Sequence, residues 1–172
     1  MKVDRILMVG RFQPFHMGHL LVLKRIAPKY ESLILGIGSA QYSHTAENPF
    51  TAGERVEMAV EALRAEGLNS FYVIPIEDIN EHGRWVAHVE SLVPRFSAVA
   101  TNNPLNQRLF QEEGYEVVST PLYDRKKYSG TVIRRRILAG KPWKDLVPPT
   151  VARIIQDIGG ADRIRQITSK DE

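Results

Sequence analysis

The sequence predicts one α/β domain over residues 1–172, with a doubly wound, mostly parallel sheet of five strands and helices after about residue 129. Two observations carry this prediction. Short apolar runs of strand length alternate with amphipathic stretches, which is the order that parallel strands with crossover helices require. No stretch is rich enough in Gly, Pro or Ser to mark a linker, and no segment repeats. The C-terminal helices are therefore expected to pack on the same domain.

The first half of the chain predicts three strands, each followed by a helix. Residues 5–9 are nearly all apolar, as a buried parallel strand requires, and residues 17–30 carry apolar residues at helical spacing. Residues 32–37 form the second strand. Thr51 and Glu54 have the spacing of a capping box, which predicts a helix that ends at Gly67. Residues 71–76 form the third strand, and residues 82–93 form a helix that Pro94 ends.

The second half contributes two short strands and then changes character. Residues 98–100 and 115–118 are the fourth and fifth strands, with a helix from Pro104 to about Phe110 between them. Residues 121–128 form a basic loop without apolar periodicity. A helix follows Ser129, and residues 143–158 continue with helical packing.

Composition limits the classes of function. The 23 basic and 20 acidic residues give a net charge of +3, which is too small to indicate a nucleic-acid partner. The chain has no cysteine, so it holds no disulfide, no thiolate metal site and no cysteine nucleophile; this is typical of a protein of the reducing cytoplasm. No apolar run approaches the ~20 residues of a membrane span, and the N-terminus does not have the pattern of a signal peptide.

Polar clusters follow each predicted strand, and parallel strands bring such clusters to one edge of the sheet. This shared position predicts a ligand site. The residues that follow the successive strands are Gly10, Arg11, Phe12, His16, Gly18 and His19; Gly38 and Ser39; Asp78, Ile79 and Trp85; Asn103; and Ser129, Thr131 and Arg134.

His16 and His19 are three residues apart at the start of a helix, so their rings project from one face. Neutral imidazole N–H groups at a helix N-terminus can donate to phosphate oxygens, and Gly18 would let a phosphate approach the backbone. One alternative is a helix cap with a single hydrogen-bonded histidine. Another is a zinc pair, but no third ligand is evident, and the sequence predicts no protein-held metal.

Two further groups allow a functional and a structural interpretation. Ser129, Thr131 and Arg134 repeat the phosphate-binding pattern at a second helix N-terminus, or they form an ordinary N-cap with arginines on a solvated face. Trp85 could stack on a planar ring while Asp78 and the Ile79 backbone contact its substituents, or it could be a core residue.

Two blocks resemble a known superfamily. Gly-Arg-Phe-Gln-Pro-Phe-His-Met-Gly-His (residues 10–19) resembles the HxGH signature of the nucleotidyltransferases, and Ser-Gly-Thr-Val-Ile-Arg (residues 129–134) resembles their second signature. Residues 38–44, 48–55 and 128–136 are similar to blocks of the archaeal type of nicotinamide mononucleotide adenylyltransferase. The resemblance extends over nearly the whole chain.

The resemblance implies a Rossmann-like fold and a reaction of ATP with nicotinamide mononucleotide that gives NAD and pyrophosphate by in-line attack, without a covalent enzyme intermediate. It assigns catalysis to His16, His19, Arg11 and Arg134. It implies that ATP is bound by those four residues together with Gly10, Phe12, Gly18, Asn103, Ser129 and Thr131. It implies that the mononucleotide is bound by Gly38, Ser39, Asp78, Ile79 and Trp85.

The resemblance also implies Mg²⁺ held mainly by the ATP phosphates, and a homo-oligomer, commonly a hexamer. Some relatives carry a basic residue where this chain has Glu47, so a triphosphate contact from that position is not expected here. Two alternatives remain from the sequence. One is a transferase for another acceptor, such as a flavin mononucleotide or phosphopantetheine. The other is a non-catalytic nucleotide- or RNA-binding protein that uses the basic residues 125–127.

Overall fold

The sheet has five strands, all parallel, in the spatial order β3-β2-β1-β4-β5. The structure, a computed structural model, describes residues 3–169. The strands are β1 (Arg5–Gly10), β2 (Ser32–Ile37), β3 (Phe71–Pro75), β4 (Ala98–Ala100) and β5 (Glu116–Val118). The predicted doubly wound fold is confirmed. Because β1 lies between β2 and β4, the strand order reverses beside β1, and a crevice opens there at the carboxyl ends of the strands.

Seven α-helices surround the sheet within the described residues. They are α1 (Met17–Ile26), α2 (Ala52–Ala65), α3 (Trp85–Leu92), α4 (Pro104–Glu112), α5 (Gly130–Leu138), α6 (Pro149–Asp157) and α7 (Gly160–Thr168). Helix α1 ends earlier than predicted, and a 3₁₀ turn (Ala27–Lys29) follows it. Pro28 explains the change, because proline has no N–H group to continue the helical hydrogen bonds. The helix predicted over residues 82–93 likewise begins with a 3₁₀ turn, His82–Arg84.

Both faces of the sheet are covered by apolar side chains. On one face Leu33, Leu35 and Ile37 of β2 pack with residues of α1, α2 and the C-terminal helices. On the other face Ile34 packs with residues of α3 and α4. Every residue of β2 is buried, which explains why its sequence is a continuous apolar run rather than an alternating one.

The buried face of α2 differs from the apolar set that the sequence suggests. Val56 and Val60 are only half-buried, whereas Arg55 is fully buried beside Met58 and Ala59. The predicted capping box is confirmed: the Thr51 hydroxyl accepts from the Glu54 N–H at 3.1 Å, and the Glu54 carboxylate accepts from the Thr51 N–H at 2.9 Å.

The C-terminal helix is attached to the start of α2 by one arginine. Arg163 of α7 donates from both terminal nitrogens to the Glu54 carboxylate, at 2.7 and 2.8 Å, and also to the Pro49 carbonyl at 3.2 Å. Both side chains of the pair are only 18% exposed. The bidentate geometry and the partial burial make this ion pair stronger than an ordinary surface pair.

We predict that Arg163→Met lowers the free energy of unfolding by about 1–3 kcal/mol, because it leaves the Glu54 carboxylate with fewer hydrogen bonds in a half-buried position. Denaturant unfolding measures the change. The control is Arg108→Met, which removes an exposed i,i+4 pair with Glu112 and should cost less than about 0.5 kcal/mol. Equal effects of the two substitutions would contradict the proposed strength of the Arg163–Glu54 pair.

Candidate active site

Two adjoining cavities lie at the carboxyl ends of the strands. The larger has a volume of about 570 Å³ and the smaller about 320 Å³. Arg11, directly after β1, lines both cavities. The site is therefore a pair of compartments that meet at one guanidinium, beside the point where the strand order reverses.

The larger cavity gathers nearly all of the residues predicted to bind ATP. These are Arg11, Phe12, His16, Gly18, His19, Asn103, Ser129, Thr131 and Arg134. The exception is Gly10, which lines the smaller cavity. Gly10 is the last residue of β1, and its carbonyl accepts from the Gly38 N–H at 2.8 Å, so it stays beside β2.

The smaller cavity gathers every residue predicted to bind the mononucleotide. These are Gly38, Ser39, Asp78, Ile79 and Trp85. Trp85 lies at the N-terminus of α3, half-buried, and it also packs against the apolar cluster under α3 and α4. The two interpretations of Trp85 are thus compatible, because one ring face can line a cavity while the ring packs on the core. Helix α4 adds Leu105, Asn106 and Leu109 to the lining, which the sequence did not suggest.

The two histidines cap α1 reciprocally. The Nδ1 atom of His16 accepts from the His19 N–H at 3.4 Å, and the Nδ1 atom of His19 accepts from the His16 N–H at 3.1 Å. The rings stack with centroids 3.6 Å apart. The arrangement is a capping box built from two imidazoles.

This capping fixes the tautomers of both rings. A nitrogen that accepts a backbone N–H carries no proton, so each neutral ring has its proton on Nε2. Burial lowers the pKa of His16 to about 4. Burial, with the neighbouring His16 as a second cause, lowers the pKa of His19 well below its ordinary value. Both rings are neutral at physiological pH, and their free N–H groups are donors.

The structure gives Gly18 a packing role in addition to the predicted one. A Cβ atom at this position would lie 3.0 Å from ring atoms of His16 and 3.1 Å from the Cβ of Tyr128. The missing side chain therefore makes room for the His16 ring and the loop before α5. Gly18 also lines the larger cavity, and its contact with a phosphate stays a prediction.

The N-terminus of α5 closes the other side of the larger cavity. Ser129 caps the helix through its hydroxyl, which accepts from the Val132 N–H at 3.2 Å. Arg134 donates to the Gln13 carbonyl at 2.7 Å. A Cβ at Gly130 would lie 2.9 Å from that carbonyl oxygen, so glycine permits the close approach.

Arg134 is half-buried and lies near charges of both signs. Its pKa is lowered by burial and then by the charge of Arg11, while the charge of Glu47 opposes this shift. Two guanidinium groups that repel one another would gain from a shared anionic ligand. The negative charge of Glu47 raises the pKa of Arg134, whereas a basic residue at this position would lower it.

Three side-chain amides join the loops around the cavities. No role for them was predicted from the sequence. Each donates to and accepts from the backbone of a single residue in another loop. Gln13 pairs with Phe50 at 3.0 and 3.0 Å, Gln41 with Asp78 at 2.9 and 3.0 Å, and Asn102 with Thr120 at 2.8 and 2.9 Å. The Ser39 hydroxyl adds a bond of 2.7 Å to the Asp78 carboxylate. The cavity walls are held by these pairs before any ligand enters.

A scan against protein families matches residues 7–136 to the model described as cytidylyltransferase-like. The chain belongs to the cytidylyltransferase-like family. It is 55% identical over 168 residues to a protein of Picrophilus torridus, a match that covers 98% of this chain and 99% of the other. It is 52% identical over 172 residues to a protein of Archaeoglobus fulgidus, covering 97% and 99%. Both proteins are named nicotinamide-nucleotide adenylyltransferase, which confirms the predicted resemblance.

Solved structures confirm the cytidylyltransferase-like fold. A bifunctional NMN adenylyltransferase/ADP ribose pyrophosphatase of Francisella tularensis superimposes with a TM-score of 0.78 at 20% identity; the match covers 96% of this chain and 53% of that one. The chain thus spans about half the length of that bifunctional protein. A nicotinate-nucleotide adenylyltransferase structure from Vibrio parahaemolyticus, titled putative, has a TM-score of 0.66 at 15% identity, covering 96% and 97%.

The larger cavity of this cytidylyltransferase-like chain is lined by donors. Within residues 3–169 its lining includes three arginines and two histidines but no acidic side chain. No group of three or more His, Asp or Glu side chains that could hold a metal ion occurs in the same part of the chain. Among the described helices, none has the length and apolar content needed to cross a membrane.

We predict that histidine NMR titration finds both rings in the Nε2–H tautomer, with a midpoint for His16 at about pH 4 and one for His19 well below its ordinary value. Because the unfolded chain takes up protons near pH 6.5 and the folded chain does not, this pair should reduce stability as the pH falls from about 6.5 to 4. A midpoint near 6.5 for either ring, or an Nδ1–H tautomer, would contradict the capping geometry.

Proposed function

We propose that this chain is an enzyme of NAD biosynthesis that transfers AMP from ATP to nicotinamide mononucleotide and releases pyrophosphate. The observation that carries the proposal is the pair of cavities that meet at Arg11. One is lined by side chains that can donate hydrogen bonds to phosphates, and the other is lined by a tryptophan and an acidic loop. The archaeal relatives that match over their full length bear the name of this activity.

ATP would occupy the larger cavity. The Nε2–H groups of His16 and His19 would donate to the phosphates, and Arg11 and Arg134 would offset their charge. The N-terminus of α1 adds the partial positive charge of its dipole. The two histidine rings lose little conformational entropy when a ligand binds, because reciprocal capping already fixes them.

The mononucleotide would occupy the smaller cavity. Trp85 would stack on the nicotinamide ring, and the Asp78–Ile79 segment would face its carboxamide. The 5′-phosphate would then point toward Arg11, where the two cavities meet. Attack on the α-phosphorus of ATP would form the new P–O bond as the bond to pyrophosphate breaks.

The histidine tautomers favour direct transfer between the nucleotides. The Nδ1 lone pairs of His16 and His19 are occupied by backbone N–H groups, and each Nε2 carries a proton. Neither ring offers a lone pair for nucleophilic attack or for proton abstraction. Alignment and charge stabilisation are therefore the catalytic contributions of the chain, as expected for phosphoryl chemistry.

A divalent cation would be held in the larger cavity mainly through coordination by the ATP phosphates. A related structure from Francisella tularensis, 19% identical with a TM-score of 0.75, is described as complexed with AMP and an Mn ion. Among the described residues, the lining of the larger cavity offers no carboxylate to such an ion, so we propose Mg²⁺ coordinated mainly by ATP, where it would reduce the phosphate charge. The homo-oligomeric state and the cytoplasmic location stay predictions.

The test is pyrophosphate release from ATP with a panel of acceptors: nicotinamide mononucleotide, its deamido analogue, flavin mononucleotide and phosphopantetheine. We expect turnover with nicotinamide mononucleotide. Trp85→Leu should raise the KM for the mononucleotide by about tenfold and leave the KM for ATP nearly unchanged, because it removes a stacking partner in one cavity only.

Trp143→Leu is the matched control, since Trp143 is a buried core residue that lines neither cavity. It should lower stability without a selective change in either KM. Turnover with a flavin mononucleotide and none with nicotinamide mononucleotide would overturn the acceptor assignment. Equal losses for ATP and the mononucleotide in Trp85→Leu would make Trp85 a core residue only.

A further inference from the structure

Arg55 is a charged side chain with no exposed surface, buried at the first turns of α2. All five of its N–H donors have backbone carbonyl acceptors. Nε donates to Thr51 at 3.2 Å; one terminal nitrogen donates to Arg11 and Gly38, each at 2.8 Å; the other donates to Ser39 at 3.2 Å and Tyr42 at 3.5 Å. The guanidinium fork thus joins the loops after β1 and β2 to the helix.

Two of these carbonyls flank residues with an unfavourable backbone conformation. The Arg11 carbonyl belongs to the peptide bond that precedes Phe12, whose φ is 51°. The Gly38 carbonyl belongs to the peptide bond that precedes Ser39, whose φ is 49°. Non-glycine residues in the left-handed region cost roughly 1–3 kcal/mol and persist where surrounding contacts hold them. Phe12 lines the larger cavity and Ser39 the smaller one, so Arg55 bonds to a strained segment in each.

The charge of Arg55 has no direct acidic partner in the part of the chain that the structure describes, since its five bonds go to carbonyls. Burial lowers its pKa to about 10; the charge of Arg11 acts in the same sense, while Asp78 and Glu54 oppose it. The group is protonated at neutral pH, so all five donors are present. A buried charge of this kind is costly unless it is fully hydrogen-bonded.

We propose that Arg55 is a positioning residue that sets the junction of the two cavities by fixing the backbones of Arg11 and Ser39. Its kinetic consequence rests on the proposed function: a displaced Arg11 would misalign the two nucleotides and slow transfer more than it weakens their binding. Lysine cannot replace it, because one ammonium nitrogen cannot reach five carbonyls in a planar fork.

The experiment compares Arg55→Lys with wild type and with Arg163→Met, an arginine that holds α7 and lines neither cavity. Arg55→Met is the second variant and lacks the charge as well. The first readout is amide hydrogen exchange of the folded proteins, which needs no activity. The second is kcat and KM for both nucleotides. Wild-type turnover in the same assay tests the proposed function separately.

We expect Arg55→Lys to increase exchange at least tenfold in segments 11–13 and 38–42, and to lower kcat by 10–100-fold with each KM changed less than threefold. Arg163→Met should loosen residues 49–54 and α7 and leave kcat and KM within twofold of wild type. Unchanged exchange in both cavity segments would overturn the proposal whether or not the wild type is active. Faster exchange with an unchanged kcat in an active enzyme would also overturn it, because Arg55 would then be structural only.

Discussion

The reciprocal cap of His16 and His19 is the interaction on which the site depends. The Nδ1 atom of each ring accepts a hydrogen bond from the backbone N–H of the other histidine. Two N–H groups at the start of α1 that have no partner within the helix are thus hydrogen-bonded, and both Nε2–H groups stay available. The same contact holds the rings in a stack, and burial lowers the pKa of both rings so that they are neutral donors. Stability at the helix end and availability for phosphate therefore come from one arrangement.

The loops that carry the rest of the site are joined within two groups. Gln13, Gln41 and Arg55 link the loops after β1, β2 and β3, and Asn102 links the loops after β4 and β5. Arg134 joins the second group to the first through the Gln13 carbonyl. The crevice lies between the groups, where β1 and β4 are neighbours. A site whose walls are already hydrogen-bonded loses little free energy to ordering when ligands bind.

The five strands and the helices α1 to α5 could be predicted, because the strands are short apolar runs and the caps of α2, α4 and α5 have clear signals. The C-terminal part was predicted to be helical, but its division into a 3₁₀ turn (Lys144–Leu146), α6 and α7 was not. The candidate site could be predicted from its position after the strands. Its residues divide between the cavities as proposed, apart from Gly10, although their roles in binding and catalysis stay predictions.

Other features could not be predicted, since they depend on distant pairings. The helical spacing of Arg55 with Met58 and Ala62 indicates that it lies on the buried face of α2. The sequence does not indicate which carbonyls of the loops after β1 and β2 accept from it. The partners of Gln13, Gln41 and Asn102 lie between 18 and 37 residues away, and nothing local in the sequence specifies them. The crowding around Gly18 likewise arises from Tyr128, which is distant in the chain.

Direct transfer between two bound nucleotides can be tested through the stereochemistry at the α-phosphorus of ATP. The substrate would be an ATP analogue in which sulfur replaces one non-bridging oxygen of the α-phosphorus, in a single configuration. The enzyme would transfer its adenylyl group to nicotinamide mononucleotide. A single in-line displacement inverts the configuration. We expect inversion, because neither histidine has a lone pair to form an adenylyl-enzyme. Retention of configuration would require two displacements, and it would show that transfer passes through an adenylyl-enzyme.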